Sequence, residues 1–412
     1  MPRHFELNAA SPGAITGDQI ARWRRDTPGS AHRAHLNNAG ASLTPQPVQD
    51  AVGGHLALEA EIGGYEAAAA AAPAIERTYA DLAELVGARA DEIAVLSSAT
   101  HAFAQALSAF DFSPSDVIVT SNDDYISNQL MFLSLAARRG VRVERAADLE
   151  EGGIDPQAVR ALVRRHRPRL VALSWVPTNS GLVQDAAGVG AACEENGVPF
   201  LLDACQAVGQ LPVDVTALRT DYLAATARKF LRGPRGIGFL HVSPRALDRG
   251  DHPLLVDMRG ARWTEADAFT LFDGARRFEQ WELPYALLLG MGAAARYALD
   301  AGVERTGARA HALAADARVR LAAIPGVRSL DRGPRLSAIA TFEADGRGGH
   351  DGSSLVGALR ERGINTSAQS RGDAVIDFDR KRARSLLRVS PHYYNTSAEV
   401  DALESALRAL VE

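Results

Sequence analysis

Several features that mark particular classes of protein are missing from this sequence of 412 residues. It has only two cysteines, Cys193 and Cys205, too few for a disulfide framework or a cysteine-rich metal site, and we expect no metal. No stretch approaches eighteen consecutive apolar residues, so we expect no transmembrane helix. The first residues contain no apolar run that could act as a signal peptide, and the cytoplasm is the expected compartment.

The sequence also lacks an excess of charge of one sign. Lysine and arginine total 45 against 50 acidic residues, which gives a formal net charge of −5. Without a strong basic field, we expect neither nucleic acid nor an anionic membrane as a partner. The 46% of hydrophobic and 23% of charged residues are typical of a globular protein, and the length suits two to three domain-sized units.

From about residue 90 onward, short apolar runs alternate with longer amphipathic ones. The runs predicted as strands are 93–97, 117–121, 169–174, 199–203, 222–226 and 237–242. The segments predicted as helices among them are 101–110, 127–139 and 185–196. Apolar strands without alternation, separated by helices, indicate a parallel sheet that is covered on both faces, and therefore an α/β fold.

The pattern changes after about residue 285. A long helical stretch there leads to a short apolar strand at 337–342, and further helices are predicted near 354–362 and from 399. These elements predict a smaller α+β domain that follows the parallel sheet.

Polar residues follow several of the predicted strands, at the edge where open α/β sheets bind ligands. Asp203 ends the apolar run PFLLD, and Lys229 lies 26 residues further on, beyond one more strand. Ser98, Ala99 and Thr100 stand where a strand gives way to a helix, a position suited to a phosphate group. Together they match the needs of pyridoxal phosphate (PLP): a lysine for the Schiff base, a carboxylate for the pyridine nitrogen, and N–H groups for the phosphate.

These ordered segments resemble the class V aminotransferase group, the cysteine-desulfurase-like branch of fold-type I PLP enzymes. The resemblance covers most of the chain, from HLNNAGAS at residue 35 to RVSPHYYNT ending at residue 396. It implies a large PLP-binding domain, 36–285, with a mostly parallel seven-stranded sheet sandwiched by helices. It also implies a small α+β domain, 286–412, against which the N-terminal segment 1–35 packs.

The resemblance assigns roles in cofactor binding residue by residue. Lys229 matches the lysine of the Schiff base, and Asp203 matches the partner of the pyridine nitrogen. Tyr125 occupies the place where desulfurases stack a histidine on the ring, and Gln206 lies beside the phenolic oxygen. The remaining matches to cofactor-binding residues are Ala99, Thr100, Thr178, Thr226 and Arg228, the last in place of a histidine that many relatives have.

The same resemblance implies a substrate site and a partner subunit. Arg388 matches the arginine that binds the α-carboxylate of an amino-acid substrate, and Asn38 and Tyr65 are further candidates for substrate binding. The segment RRFEQWELP (276–284) resembles the stretch that reaches the phosphate of a neighbouring subunit, which implies a homodimer. Glu282 departs from that pattern, and we do not assign it as a ligand because a carboxylate beside a phosphate is unfavourable.

The absence of a cysteine from one segment reduces the number of reactions that we expect. Desulfurases of this group use a mobile cysteine shortly before the carboxylate-binding arginine, and the segment 364–388 contains none, so a persulfide-forming desulfurase is not expected. The segment LEAEIGGYEAA (58–68) is similar to part of hercynylcysteine sulfoxide lyases and of enzymes that process cysteine S-conjugates. We therefore predict a lyase that cleaves the C–S bond of an S-substituted cysteine by β-elimination, giving a sulfur fragment, pyruvate and ammonia. Decarboxylation coupled to oxidative deamination, and transamination, stay open as alternatives.

Overall fold

The computed structural model describes residues 15–344 and 351–411, so the first fourteen residues of the predicted N-terminal segment lie outside the described residues. The strands are β1 (Ala34–His35), β2 (Ile93–Leu96), β3 (Val117–Thr120), β4 (Arg142–Arg145), β5 (Leu170–Ser174), β6 (Phe200–Asp203), β7 (Tyr222–Thr226), β8 (Gly238–Val242), β9 (Ala261–Glu265), β10 (Ala268–Leu271), β11 (Val327–Ser329), β12 (Ala340–Ala344), β13 (Ile364–Asn365), β14 (Ser367–Ser370) and β15 (Ser385–Val389). The α-helices are α1 (Gly17–Arg25), α2 (Gln46–Ile62), α3 (Gly64–Ala70), α4 (Ala72–Val86), α5 (Ala99–Ser108), α6 (Ile126–Arg139), α7 (Pro156–His166), α8 (Ala186–Glu194), α9 (Val215–Leu218), α10 (Pro244–Asp248), α11 (Tyr285–Ala301), α12 (Val303–Ala322), α13 (Gly352–Glu361), α14 (Val375–Lys381) and α15 (Ser397–Val411).

Seven strands form the large sheet, in the order β2–β8–β7–β6–β5–β3–β4. Neighbouring strands from β7 to β4 are parallel, whereas β8 runs antiparallel to both β2 and β7. This topology confirms the predicted α/β fold with a mostly parallel sheet of seven strands.

Successive residues of the central strands enter two different hydrophobic cores. In β6, Leu202 belongs to the core on one face of the sheet and Leu201 to the core on the other. The strand β3 shows the same alternation, with Val119 on one side and Ile118 on the other. Because both faces are buried, these strands are unbroken apolar runs in the sequence.

Capping side chains set where the flanking helices begin. Asp155 caps α7 by accepting a 2.8 Å hydrogen bond from the backbone two residues on, and Pro156 takes the first helical position. Ser98 caps α5 in a similar way, with its hydroxyl 3.1 Å from the backbone nitrogen of His101. The first turn of α5 therefore lies directly after β2, at the carboxyl edge of the large sheet.

The C-terminal part of the chain builds a second sheet, antiparallel and four-stranded, in the order β11–β12–β15–β14. The helices α12 and α13 pack against this sheet, and α15 packs against both of these helices. The short strand β1 pairs with β13, and the rings of Trp23 and Tyr393 meet edge to face at 4.9 Å, so the described N-terminal residues contact this part. The division into 1–35, 36–285 and 286–412 stays a prediction.

Several strands differ from the sequence-based expectation. The sequence does not predict β4, because its residues RVER form an edge strand that is exposed or half-buried and lacks an apolar run. The hairpin of β9 and β10 is also not predicted, since most of its residues are exposed. The strand expected at 337–342 is shifted to β12, because the backbone of Leu336 and Ser337 pairs with the loop at Gly181 and Leu182 instead.

No single helix within residues 15–344 and 351–411 is both long and apolar enough to cross a membrane. Taken as a pair, α11 and α12 have the required length and composition, but they are bent by 84° at their junction. In the same described ranges, no group of three or more His, Cys, Asp and Glu side chains could hold a metal ion.

Candidate active site

Most of the predicted cofactor residues meet at the carboxyl edge of the large sheet. Asp203 is the last residue of β6, and Thr226 is the last residue of β7. Lys229 follows in the loop after β7, and Tyr125 immediately precedes α6. Since β5, β6 and β7 are neighbours in the sheet, side chains that are distant in sequence share one edge.

Lys229 is buried without a polar partner. The residue is 7% exposed, and within the described part of the chain its amine makes no hydrogen bond or ion pair. The centre of the Tyr125 ring lies 5.6 Å from Nζ. Burial lowers the pKa of Lys229, although the neighbouring Cys205 and Asp203 act in the opposite direction. This amine therefore loses its proton more readily than a surface lysine does, as a nucleophile must.

The carboxylate of Asp203 is held in place by three donors. Oδ2 accepts from Nδ2 of Asn128 at 3.1 Å and from Oγ of Ser174 at 3.3 Å. Oδ1 accepts from the backbone N–H of Cys205 at 2.9 Å. The carboxylate is thus oriented from both sides, and it lies at the strand end where a ring nitrogen is expected.

A second buried carboxylate, Asp124, shares two of these donors, Ser174 and Asn128. Its Oδ1 accepts from Ser174 at 2.5 Å and from Asn128 at 3.2 Å. Burial raises the pKa of Asp124, and the nearby Asp203 adds to that effect. Sequence reasoning missed Asp124, Ser174 and Asn128. The one available signal was the pair of acids in SNDDY, directly after a buried strand.

The start of α5 forms a polar cradle for an anion. The N–H groups of Ala99 and Thr100 are among the first of the helix, which have no intrahelical acceptor. Thr226 lies opposite Gly238 across β7 and β8, beside this helix start. A Cβ atom on Gly238 would lie 2.9 Å from the nitrogen of Ala99, so a larger residue there would cover the cradle. The arrangement suits a phosphate group.

Gln206 and Thr178 lie next to each other in the same site. Nε2 of Gln206 donates to the carbonyl of Ala39 at 3.0 Å and to Oγ1 of Thr178 at 3.2 Å. Its Oε1 is buried and has no hydrogen-bond partner in the described chain. A buried acceptor without a partner indicates that a bound group completes this site.

Arg388 reaches the site from β15 of the small sheet. Nη1 donates to both the hydroxyl and the carbonyl of Thr178, at 2.6 and 3.1 Å, and Nε donates to Oγ of Ser367 at 3.0 Å. Burial first, and then the neighbouring Arg228, lower the pKa of Arg388 to about 10. The guanidinium is therefore still a cation at neutral pH, and it has no acidic partner within hydrogen-bond distance in the described ranges.

The two asparagines of the β1 loop have different roles. The amide of Asn38 is fully engaged, because it donates to the carbonyl of Ser390 at 2.7 Å and accepts from the hydroxyl of Tyr394 at 2.6 Å. Asn37 instead directs Oδ1 toward Nη2 of Arg388, at 3.4 Å. The side chain of Asn38 thus supports the loop and that of Asn37 lies beside Arg388, while the substrate-binding role of Asn38 stays a prediction.

Arg228 is half-buried next to Lys229. Its guanidinium donates to the carbonyl of Gly40, and its own carbonyl accepts from the backbone of Ser42. Burial lowers its pKa, with the nearby Arg235 adding to the effect. A cation therefore stands beside the lysine, and the role of Arg228 as a phosphate ligand stays a prediction.

Two residues discussed from the sequence, the substrate-binding candidate Tyr65 and the unassigned Glu282, lie on the surface of the chain. Tyr65 is 77% exposed on α3, and no hydrogen bond or ring contact links it to the residues around Lys229 in the described ranges. Glu282 is also exposed, in the loop before α11. The preceding Glu279 anchors that loop, because its buried carboxylate accepts from the hydroxyl of Tyr79 and from the backbone of Val95, both at 2.8 Å.

Neither cysteine has the surroundings of a nucleophile. Cys193 is buried in α8, and Cys205 is half-buried in the loop after β6. Burial raises the pKa of both thiols, and the negative charges of Asp221 and Asp203, respectively, raise it further. Both side chains are therefore thiols rather than thiolates at neutral pH.

The residues at this edge fit PLP group by group. The partner-free amine of Lys229 suits covalent attachment, and the oriented carboxylate of Asp203 suits a protonated ring nitrogen. The helix start at Ala99 and Thr100 suits the phosphate. The unpartnered Oε1 of Gln206 lies where a polar substituent of the ring would complete its hydrogen bonding.

Comparison with known proteins gives matches over nearly the whole chain. The family model described as aminotransferase class-V matches residues 34–403. A probable cysteine desulfurase of Methanothermobacter thermautotrophicus is 26% identical over 94% of this chain and 97% of its own length. A probable hercynylcysteine sulfoxide lyase of Mycobacterium tuberculosis is 29% identical over 98% of this chain and 96% of its own. The apo structure of a cysteine desulfurase from Thermococcus onnurineus has the same fold, with a TM-score of 0.85, 24% identity, and coverage of 95% and 98% of the two chains.

Proposed function

We propose that this chain, which belongs to the class V aminotransferase family, is a C–S lyase that acts on an S-substituted cysteine. The family uses PLP, so the chain is a PLP-dependent enzyme. One observation carries the choice of reaction: the segment 364–388 contains no cysteine. Instead it folds into β13, β14, a 3-10 turn and α14 before it reaches Arg388.

Two side chains would perform the steps that the protein itself must supply. Arg388 presents a buried guanidinium that has no acidic partner within hydrogen-bond distance among the described residues, and its fork matches the α-carboxylate of an amino acid in a bidentate geometry. When bound, PLP supplies an electron-accepting ring that makes the α-hydrogen of the substrate acidic. Lys229 is the base that accepts this proton, since it is the buried amine at the strand edge.

The leaving group explains why no further nucleophile is required. Loss of the α-proton to Lys229 and departure of the sulfur substituent form a C=C bond at the expense of the C–H and C–S bonds. A thiolate or sulfenate leaves readily with the electron pair of the C–S bond. The remaining aminoacrylate hydrolyses to pyruvate and ammonia, so the products are a sulfur fragment and these two compounds.

The names of the relatives point to two different reactions, which differ in whether a cysteine of the enzyme takes part. Several of the matched proteins are named cysteine desulfurases, whereas the Mycobacterium tuberculosis relative is named a hercynylcysteine sulfoxide lyase. A persulfide has to form on a thiolate that reaches the substrate. Cys193 is buried and Cys205 is half-buried, with burial raising the pKa of each thiol, and the lyase reaction needs neither of them.

The deciding experiment identifies products and uses a cysteine-free variant. Purified holoenzyme is incubated with a series of S-substituted cysteines and with cysteine itself, and the products are determined by mass spectrometry. We expect pyruvate, ammonia and a sulfur fragment, and we expect the variant Cys193→Ser with Cys205→Ser to retain turnover. A persulfide trapped on either thiol would establish a desulfurase instead. Release of carbon dioxide with an aldehyde would establish decarboxylative deamination, and conversion of a keto acid to an amino acid an aminotransferase.

We also propose that the protein is cytoplasmic and that it forms a homodimer. The exposed apolar side chains support the dimer. Large apolar side chains are exposed on the segment from Leu254 to Trp281, which includes the hairpin of β9 and β10. Trp263 on this hairpin is 79% exposed, and Tyr65 on α3 is exposed as well. Exposed patches of this kind mark protein interfaces, and a second copy of the chain would cover them. Tyr65 could then serve the substrate site of the partner subunit.

A further inference from the structure

The side-chain amide of Asn179, directly after Thr178, lies between carboxylates from two parts of the chain. Nδ2 donates to Oδ1 of Asp123 at 2.9 Å and to Oδ2 of Asp377 at 2.6 Å. Asp123 belongs to the loop between β3 and α6, next to the strand edge of the large sheet. Asp377 lies on α14, which leads into β15 of the small sheet. One amide thus links the two sheets.

A lysine completes this cluster. Nζ of Lys381 lies 2.7 Å from Oδ2 of Asp377 and 3.5 Å from the carbonyl of Asn179, and its side chain is only 7% exposed. The sequence contains two lysines, Lys229 and Lys381, against 43 arginines. An ammonium is a compact charge, whereas a guanidinium is wide and planar, so a small enclosed site is where lysine cannot be exchanged for arginine.

The charges of the cluster are nearly balanced. Removal from water raises the pKa of Asp123, the facing Asp377 raises it further, and Lys381 lowers it. A small cavity of about 50 Å³ adjoins the cluster. The other charged groups that line it are Asp148, which pairs with Arg380 of α14, and Arg332, which donates to the carbonyl of Glu150.

The cluster lies one residue away from a contact that serves the active site. Thr178 receives two hydrogen bonds from Arg388 and one from Gln206, so its position fixes the direction of the guanidinium. We propose that Lys381, together with Asp377 and Asp123, is a positioning device that holds the loop 178–180 so that Arg388 is aimed at the substrate carboxylate. This inference rests on the proposed function only in taking an α-carboxylate as the ligand of Arg388.

Removal of the Lys381 ammonium should make substrate binding depend on pH. Without the ammonium, two carboxylates would face one amide, and they could remain in place only while they shared a proton. When that proton is lost at higher pH, the carboxylates repel each other and the loop shifts. Substrate binding should then weaken as pH rises, whereas cofactor binding at Lys229, on the other side of the site, should not change.

The test measures amino-acid binding to holoenzyme by the change in cofactor absorbance, with S-methyl-L-cysteine as the probe, between pH 6 and 8.5. We expect Lys381→Met to weaken binding by about tenfold at pH 8.5 and far less at pH 6, because one unit of pKa corresponds to a tenfold effect. Lys381→Arg should not restore binding. The double variant Lys381→Met with Asp377→Asn should restore it at both pH values, because the repulsion is removed.

Two further variants keep the test decisive if Lys381→Met does not fold. Burial and Asp377 raise the pKa of Asp123 to about 7 even beside Lys381, so the wild type should show a smaller pH dependence of its own. Asp123→Asn keeps the shape of the cluster and should remove that contribution. Arg382→Gln removes an exposed cation directly after the same helix, outside the cavity lining, and should leave binding unchanged. Binding that is the same in wild type, Lys381→Met and Asp123→Asn at every pH would overturn the inference alone. Failure of the wild-type holoenzyme to respond to any amino acid would overturn the proposed function and the inference with it.

Discussion

Replacement of Arg388 by alanine is the sharpest test of how the substrate is held. The residue is 5% exposed, and its guanidinium is fixed by Thr178, Ser367 and Asn37, all of which are neutral. A buried cation whose neighbours within hydrogen-bond distance are all neutral is ready for an incoming carboxylate. The variant Arg388→Ala should therefore lose the ion pair with the substrate but keep the cofactor site around Lys229.

The magnitude follows from the cost of leaving one charge of a buried pair without its partner. That cost is about 2–5 kcal/mol, which corresponds to a fall of roughly 30-fold to several thousand-fold in kcat/KM. Most of the loss should appear in KM, because the carboxylate is bound in the ground state and in the transition state alike. Ser367→Ala removes one orienting hydrogen bond and should cost only about 0.5–1.5 kcal/mol.

The assay compares two ligands that differ only in the carboxylate. Binding of S-methyl-L-cysteine and of 2-(methylthio)ethylamine to wild-type and Arg388→Ala holoenzyme is measured by the change in cofactor absorbance. The substitution should weaken binding of the amino acid and leave binding of the amine nearly unchanged. An equal loss for both ligands would refute the reasoning, since it would mean that Arg388 supports the site without contacting the carboxylate.

Three further predictions follow from other parts of the structure. Lys229→Ala should abolish the covalent cofactor label that borohydride fixes in the wild type, and a labelled peptide in this variant would place the attachment at the other lysine. The wild type should sediment as a dimer and Trp263→Asp as a monomer, because that side chain is exposed on the proposed interface; an active wild-type monomer would refute it. Burial lowers the pKa of His392 to about 3, so below about pH 6.5 the unfolded chain binds a proton that the folded chain does not. The free energy of unfolding in urea should therefore fall between pH 7 and 5, less steeply for His392→Gln, and an identical slope in both proteins would contradict this.

The large sheet was predictable because its strands are buried on both faces. The apolar runs at β5, β6 and β7 can bury all of their side chains only inside a sheet that is covered on both faces. The carboxyl ends of these strands then mark the edge where ligands bind. Asp203 and Lys229 could be found from the sequence because each lies at or just after such a strand end. A strand at the sheet edge, such as β4, gives no comparable signal, because water rather than a second core covers part of it.

Residues that meet only in three dimensions could not be predicted in the same way. The neighbouring asparagines 37 and 38 are chemically identical, and only their hydrogen bonds show that Asn37 faces Arg388 while Asn38 supports the loop. Lys381 and Asp123 are separated by more than half of the chain, and neither belongs to a recognisable motif. Among the described residues they are connected only through Asn179 and Asp377, and this depends on how the small sheet is seated beside the loop after β5, which no local pattern encodes.

A pair of buried carboxylates lies beneath the site, at the carboxyl edge of the large sheet. Asp124 and Asp203 share the hydroxyl of Ser174 and the amide of Asn128, so the two groups compete for the same donors. Burial and the charge of Asp203 both raise the pKa of Asp124, which makes Asp124 the group that holds a proton more readily than a carboxyl in water would. A neutral amide in place of Asp124 would remove the repulsion and keep an acceptor oxygen for Ser174 and Asn128. In the proposed site Asp203 is the partner of the ring nitrogen of PLP, so Asp124→Asn should leave the cofactor spectrum close to that of the wild type, whereas Asp203→Asn should shift it.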